Sequence, residues 1–333
     1  MNKKKNLEIK ETFDLAVQHH QKNNFKSAES LYNKVLKITP IHFETNFLLG
    51  SLLLRNKNFN KAIKSLNKAI LINPNHVGTY NNLGGALKGI GEIEKAIVFF
   101  QKAIEINPNY LQAHNNLGTT LHELGKTQKA INYFQKAIKI NSNHVEAYNN
   151  LGTAFYDLSE CKKALKYYKK AIKINPNYAA AHWNLHSFST GIDEALKILK
   201  KLYRIDNNYI KAKFIISALE GFKGNLKNFN SLINSSYMND PYMRSIKWVF
   251  SLPKLPKIFF NRWSFFDSIV SLTDKSRPFY EFGVWNGVSF KYLINTFKKG
   301  FGFDTFTGLP ETWYQEPIGK YSSFGSVPKI KGG

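Results

Sequence analysis

The sequence predicts a mainly α-helical solenoid that is followed by an incomplete α/β segment. Two observations support the solenoid: alanine and leucine each recur every 34 residues, and proline recurs with the same period. A third observation supports the α/β segment. The period is lost near residue 211, and a strand, glycine loop, helix and second strand follow at 279–304.

Columns of small and apolar residues define the repeats. We place five full repeats at 9–42, 43–76, 77–110, 111–144 and 145–178, with a degenerate or capping unit at 179–210. The leucine of each repeat precedes an alanine or a glycine, and the alanine column lies in the second half of the repeat. The columns are Leu15, Leu49, Leu83, Leu117 and Leu151, then Ala28, Ala62, Ala96, Ala130 and Ala164, and Pro40, Pro74, Pro108 and Pro176.

Each repeat reads as two helices. In the third repeat, Tyr80, Leu83 and Leu87 form an apolar stripe at helical spacing, and Gly91 ends that helix. A second apolar stripe follows until Pro108, which cannot continue a helix. One helix pair cannot bury its own stripe, so stacked pairs must share a core. The pattern resembles the tetratricopeptide repeat (TPR) family, whose period is 34 residues.

An asparagine recurs directly before the leucine of the later repeats. Asparagine is a poor residue for a helix interior, so its recurrence calls for a reason. Because its amide both donates and accepts hydrogen bonds, a ladder of asparagines could bind an extended peptide backbone without reading its sequence. The predicted peptide-binding residues are Asn82, Asn116, Asn150 and Asn184.

This ladder resembles the one in the TPR region of protein O-GlcNAc transferases, and the resemblance implies binding of substrate backbones. A targeting module of that kind is one alternative function. A simpler interpretation is that asparagine is frequent in this chain, since a second column stands beside the first at Asn81, Asn115 and Asn149. Three histidines at one phase, His42, His76 and His144, are expected at helix ends rather than as metal ligands.

Charge and cysteine content limit the partners. The 47 Lys+Arg against 23 Asp+Glu give a net charge of +24, yet only five of these cations are arginine, the residue that reads phosphate and guanine with two hydrogen bonds. Lysine columns should lie on the outer face of the second helices. We therefore expect no nucleic-acid partner. With one cysteine, no apolar leader and no long apolar run, we expect a cytoplasmic protein without membrane contact.

The remaining chain is expected to form a helical linker region at 211–257 and an α/β segment at 258–333. A helix is predicted over 259–269, with Trp263 on its apolar side. Strand 279–282 then leads into a loop with Gly283 and Gly287, and strand 301–304 ends at Asp304. Such glycines allow a ligand to approach the N-terminus of the following helix.

These residues resemble the start of class I S-adenosylmethionine-dependent methyltransferases, of the macrocin-O-methyltransferase-like group. The resemblance implies a Rossmann-like fold in which Glu281, Gly283 and Gly287 line the methionine side of S-adenosylmethionine and Asp304 holds its ribose. Only about 30 residues follow Asp304, too few for the remaining strands. Either the gene is truncated and encodes a partial domain, or this chain is a fragment of a longer one, which is the interpretation we favour. In both cases we expect no catalytic residue in this chain and use of the cofactor only within a complete domain.

Two functions besides that targeting module remain open from the sequence. The first is a scaffold that binds an extended peptide or protein segment on the concave face of the repeats. The second is a methyltransferase that the repeats target, of which this chain holds only the start.

Overall fold

In a computed structural model, the structure describes residues 2–272, 279–282 and 300–303. The chain divides into two compact units, Met1–Ser142 and Asn143–Gly333. The described residues are mainly helical, which confirms the predicted repeat architecture.

The first unit consists of four antiparallel helix pairs, one for each of the first four repeats. Its helices are α1 (Asn2–Gln21), α2 (Phe25–Ile38), α3 (Phe43–Arg55), α4 (Phe59–Ile72), α5 (Val77–Gly89), α6 (Ile93–Ile106), α7 (Leu111–Glu123) and α8 (Thr127–Ile140).

The second unit continues with helix pairs and then changes character. Its elements are α9 (Val145–Asp157), α10 (Cys161–Ile174), α11 (Ala179–His186), α12 (Ile192–Ile205), α13 (Ile210–Phe222), α14 (Lys227–Ile233), a 3₁₀ turn (Ser236–Asn239), α15 (Pro241–Phe250), α16 (Arg262–Leu272), β1 (Phe279–Phe282) and β2 (Gly300–Phe303).

The two helices of a pair can approach closely because the alanine column and the glycines after the column leucines carry little or no side chain. Every alanine of the alanine column has 0% of its surface exposed. A methyl group added at Gly84 would lie 2.7 Å from Cε1 of Phe100, the buried ring of the facing helix. The same holds for Gly118 against Phe134. These two glycines therefore make room for an aromatic ring, whereas Gly50 of the same column makes room for Leu66.

Each of the first five helix pairs turns through a residue in the left-handed region. Gly91 and Gly125 adopt φ values of 84° and 71°, as glycine does readily. The other three pairs place a residue with a Cβ there, at φ values of 61°, 58° and 60°. These residues are Asn23, Lys57 and Ser159. The predicted break at Gly91 is confirmed, since α5 ends two residues before it.

Residues 210–250 form more than a connection. Helix α13 packs on α12 around Leu199, Leu202 and Ile216. Its other side contributes Phe214 to a separate core that includes Met243 of α15. The stretch predicted as a helical linker therefore contains buried side chains of its own.

The last described helix begins later than predicted. Asn261 caps α16, because its Oδ1 accepts a hydrogen bond from the Ser264 N–H at 2.9 Å, so the helix starts at Arg262 rather than near Phe259. Beyond it, β1 and β2 pair in parallel, with Phe279 opposite Gly300 and Phe282 opposite Phe303. The rest of the predicted Rossmann-like segment lies outside the described residues.

Candidate functional site

The predicted asparagines lie where the first helices of successive pairs meet. In the first unit, the Asn82 side chain in α5 donates to Ser51 Oγ in α3 at 2.9 Å. One repeat later, the Asn116 side chain in α7 donates to Asn81 Oδ1 in α5 at 2.9 Å. Each amide is therefore tied to the preceding repeat. We call the surface that these first helices form the first-helix face.

The second unit repeats the arrangement. The Asn184 side chain in α11 donates to Asn149 Oδ1 in α9 at 2.9 Å and approaches Thr153 Oγ1 at 3.4 Å. Asn150 occupies the same register position in α9 and is half-buried. Two asparagine columns thus act together at two places: Asn116 donates to the buried Asn81, and Asn184 donates to the buried Asn149. Sequence reasoning treated the second column as a competing explanation and missed this pairing.

The pairing fixes these amides without using all their hydrogen-bonding capacity. An asparagine side chain has two N–H groups and a carbonyl oxygen with two lone pairs. Within the part of the chain that the structure describes, neither Asn116 Oδ1 nor Asn184 Oδ1 has a protein hydrogen-bond partner. Both side chains are half-buried rather than enclosed. The first-helix face therefore presents oriented amides with an acceptor to spare.

Charges on the two faces of the first unit differ. On the first-helix face, Lys88 Nζ of α5 lies 2.8 Å from Glu123 Oε1 of α7. The lysine columns of the second helices are instead exposed to solvent, as the sequence predicts. They are Lys34, Lys68, Lys102, Lys136 and Lys170, and Lys61, Lys95, Lys129 and Lys163. The positive charge of the two lysine columns therefore lies away from the asparagines.

The expected helix-end role of the histidine column is confirmed. Nδ1 of His42, His76 and His144 accepts the backbone N–H of Thr45, Thr79 and Ala147, at 3.3, 3.2 and 3.1 Å. These contacts cap α3, α5 and α9. An accepting Nδ1 must be unprotonated. Burial lowers the pKa of both His76 and His144, which favours that neutral form.

A second polar contact was missed by sequence reasoning. His114 and His182 stand at the same phase of their repeats, and both are buried. Each lies with Nε2 at 2.8 Å from the carbonyl oxygen of the proline six residues earlier, Pro108 or Pro176, so Nε2–H donates there. These histidines join the start of a first helix to the preceding turn by a hydrogen bond.

The second unit also contains a contact between residues more than 100 positions apart. Trp263 of α16 is 4% exposed, and its indole N–H donates to the Tyr156 carbonyl oxygen at 2.7 Å. The Arg262 guanidinium pairs with the Asp157 carboxylate. Periodicity could not predict this contact, because α16 lies outside the repeats. The apolar Trp263 was the only sequence signal.

Of the predicted cofactor-binding residues, the structure describes only Glu281. Glu281 lies in β1, while Gly283, Gly287 and Asp304 lie outside the described residues. No group of three or more acidic, histidine or cysteine side chains in the described ranges could hold a metal ion. No helix among those residues combines the length and apolar character that a bilayer crossing requires.

Comparisons with known proteins agree with the helix pairs. Models of the tetratricopeptide repeat match residues 43–76, 78–110 and 110–177. The crystal structure of MamA protein shows 32% identity over 51% of this chain and 93% of that one, with a TM-score of 0.45. A thermophilic TPR protein of Thermus thermophilus shows 22% identity over 54% and 97%, with a TM-score of 0.47.

The APC/C hetero-tetramer Cut9–Hcn1 gives a TM-score of 0.56 at 18% identity, over 62% of this chain and 42% of that one, which supports the fold alone. No curated protein matches the chain. The family models fall within residues 43–177, so the methyltransferase resemblance of residues 258–333 stays a prediction.

Proposed function

The chain belongs to the tetratricopeptide repeat family, and from that premise we propose that it is an interaction scaffold that binds an extended polypeptide on its first-helix face. The observation that supports this function is the hydrogen bond that ties each of three predicted asparagines to the preceding repeat. Asn82 donates to Ser51, Asn116 to Asn81 and Asn184 to Asn149, and each donor occupies the same register position of its repeat. The chemistry of these amides suits a backbone rather than a particular side chain.

An extended peptide offers N–H and C=O groups along its length, each of which loses its water on binding and needs a replacement partner. Asn116 can accept from a peptide N–H through Oδ1 and donate to a peptide carbonyl through its second N–H. Because the contact to Asn81 already fixes the Asn116 side chain, binding costs little further side-chain entropy. The asparagine ladder would thus supply sequence-independent affinity.

The test begins with peptides selected from a random displayed library for binding to the full chain. We expect the double variant Asn82→Ala/Asn116→Ala to bind these peptides about tenfold or more weakly, because each lost hydrogen bond contributes on the order of 1 kcal/mol. The matched control is Asn67→Ala, since Asn67 is exposed on α4, a second helix. It should bind as the unchanged chain does.

The same variants separate binding from stability. Removing Asn116 also removes its hydrogen bond to Asn81, so the melting temperature of each variant is measured by circular dichroism beside its affinity. A variant that melts earlier yet binds unchanged while folded would show that the asparagines only join the repeats. That result would contradict the proposed function.

A second candidate concerns residues 258–333, which we propose to be the start of a class I methyltransferase-like domain. The parallel pairing of β1 with β2 favours it, because parallel strands separated by a crossover are the unit from which such domains are built. Glu281, Gly283, Gly287 and Asp304 would hold S-adenosylmethionine, which supplies the methyl group when bound. Methyl transfer itself would need the further strands of a complete domain.

Isothermal titration of the chain with S-adenosylmethionine tests this second candidate. Weak binding that disappears in Asp304→Ala but survives in Asp240→Ala, a carboxylate of the α15 cap, would support it. Equal heats for the unchanged chain and Asp304→Ala would count against the assignment of Asp304 to the ribose.

A further inference from the structure

A segment of the second unit that follows α15 lies against the helix pairs of the same unit. Residues 258–263, which we call the strap, comprise the irregular residues 258–261 and the first two residues of α16, Arg262 and Trp263. Ile258 and Phe260 pack against the core of α12 and α13. Arg262 and Trp263 then contact the end of α9. The strap therefore touches three helices that belong to three different helix pairs.

The anchor of the strap is an arginine–tryptophan pair in a complementary pocket. The Arg262 guanidinium lies 5.2 Å from the ring centre of Tyr156 and 4.7 Å from that of Trp263, while its charge meets Asp157. The pocket lies at the C-terminal end of α9, where the helix dipole adds negative potential. Arginine, tryptophan and tyrosine are typical of the residues that dominate binding energy at protein interfaces, and Trp263 is buried here.

The pocket is also specific to this repeat. In the first unit, the equivalent acidic residue Glu123 receives its cation from Lys88 of the preceding first helix. Asp157, 34 residues later, forms its ion pair with Arg262 of the strap instead. The backbone carbonyl of Tyr156 adds an acceptor for an indole N–H. Charge, ring contacts and this acceptor together describe a site for an irregular segment that leads into a helical turn beginning with Arg-Trp.

We propose that the strap is an intramolecular ligand: it occupies a peptide-binding site on α9, α12 and α13 that accepts an external segment of the same chemistry. That chemistry is two apolar residues in alternate positions, followed by an arginine–tryptophan pair. The inference goes beyond the asparagine-mediated binding proposed above, because it concerns different side chains. Failure of one does not entail failure of the other.

A fluorescent peptide with the sequence of residues 255–266 tests the proposal by anisotropy on the full chain. The unchanged chain should bind it weakly, because the strap is tethered next to the site at high effective concentration. The released variant Arg262→Ala/Trp263→Ala should bind it at least about tenfold more tightly. Adding Asp157→Ala to the released variant should abolish that gain, as should a peptide with alanine in place of both anchor residues.

Two results would overturn the proposal: equal affinity of the unchanged and released chains, or a released chain that keeps its helical circular dichroism and still does not bind. If the released variant does not fold, Phe260→Ala serves instead, since it weakens the strap and keeps the Arg-Trp anchor. Its affinity for the peptide should then exceed that of the unchanged chain, and equal affinity would again contradict the proposal.

Discussion

At the residue scale, the histidine caps connect pH to stability. His76 accepts the Thr79 N–H, and the centre of its ring lies 4.9 Å from the ring centre of Phe43 and 4.5 Å from that of Phe47. Burial among these groups lowers its pKa from 6.5. The unfolded chain therefore takes up a proton first as the pH falls, and folding loses free energy below pH 6.5 until the folded form is protonated too.

We predict that His76→Asn reduces the loss of unfolding free energy between about pH 7.5 and pH 5.5. Asparagine caps helices well and does not titrate in this range, so it keeps the cap and removes the proton uptake. Urea denaturation at both pH values measures the effect. His76→Ala is the control, because it should cost about 1 kcal/mol at the higher pH through loss of the cap. An unchanged pH dependence in His76→Asn would contradict this account.

At the element scale, the glycines that face the second helix determine how closely the two helices of a pair approach. Adjacent glycines of α5 provide a direct comparison. A Cβ at Gly84 would lie 2.7 and 2.8 Å from the ring of Phe100, which is 1% exposed and cannot move aside. A Cβ at Gly85 would meet nothing nearer than Leu54 Cδ2 at 3.5 Å, an ordinary contact.

We predict opposite effects of alanine at these two positions. Gly84→Ala should lower the free energy of unfolding by about 1–3 kcal/mol through overpacking. Gly85→Ala should raise it by up to about 1 kcal/mol, because alanine favours the helix more than glycine does. Urea denaturation compares the two variants. Similar values would show that the ring of Phe100 does not limit the approach of the two helices.

At the scale of the whole molecule, the helix pairs were predictable and the contacts outside the repeat were not. The columns of Ala96 and Leu83 recur because every helix pair needs a small or an apolar side chain at the same place in its core. Their period therefore predicted the fold. The asparagine column was visible at Asn116, but its partner Asn81 lies 35 residues away, and nothing in one helix specifies that contact. Trp263 meets α9 across 107 residues of sequence, a distance that no periodic pattern spans.

Binding of an extended peptide backbone by the asparagine ladder is tested most directly by a double-mutant cycle. One arm is Asn116→Ala in the full chain. The other replaces, one at a time, the backbone amides of a selected peptide with esters, which lack the N–H donor. Affinities of the four combinations at each position give the coupling between Asn116 and that amide.

We predict one peptide position at which the ester weakens binding to the unchanged chain and has little further effect on Asn116→Ala, with a coupling of about 1 kcal/mol. Coupling should be absent when Asn67→Ala replaces Asn116→Ala in the cycle. Purely additive losses at every peptide position would contradict the claim, because they would show that the Asn116 amide does not touch the peptide backbone.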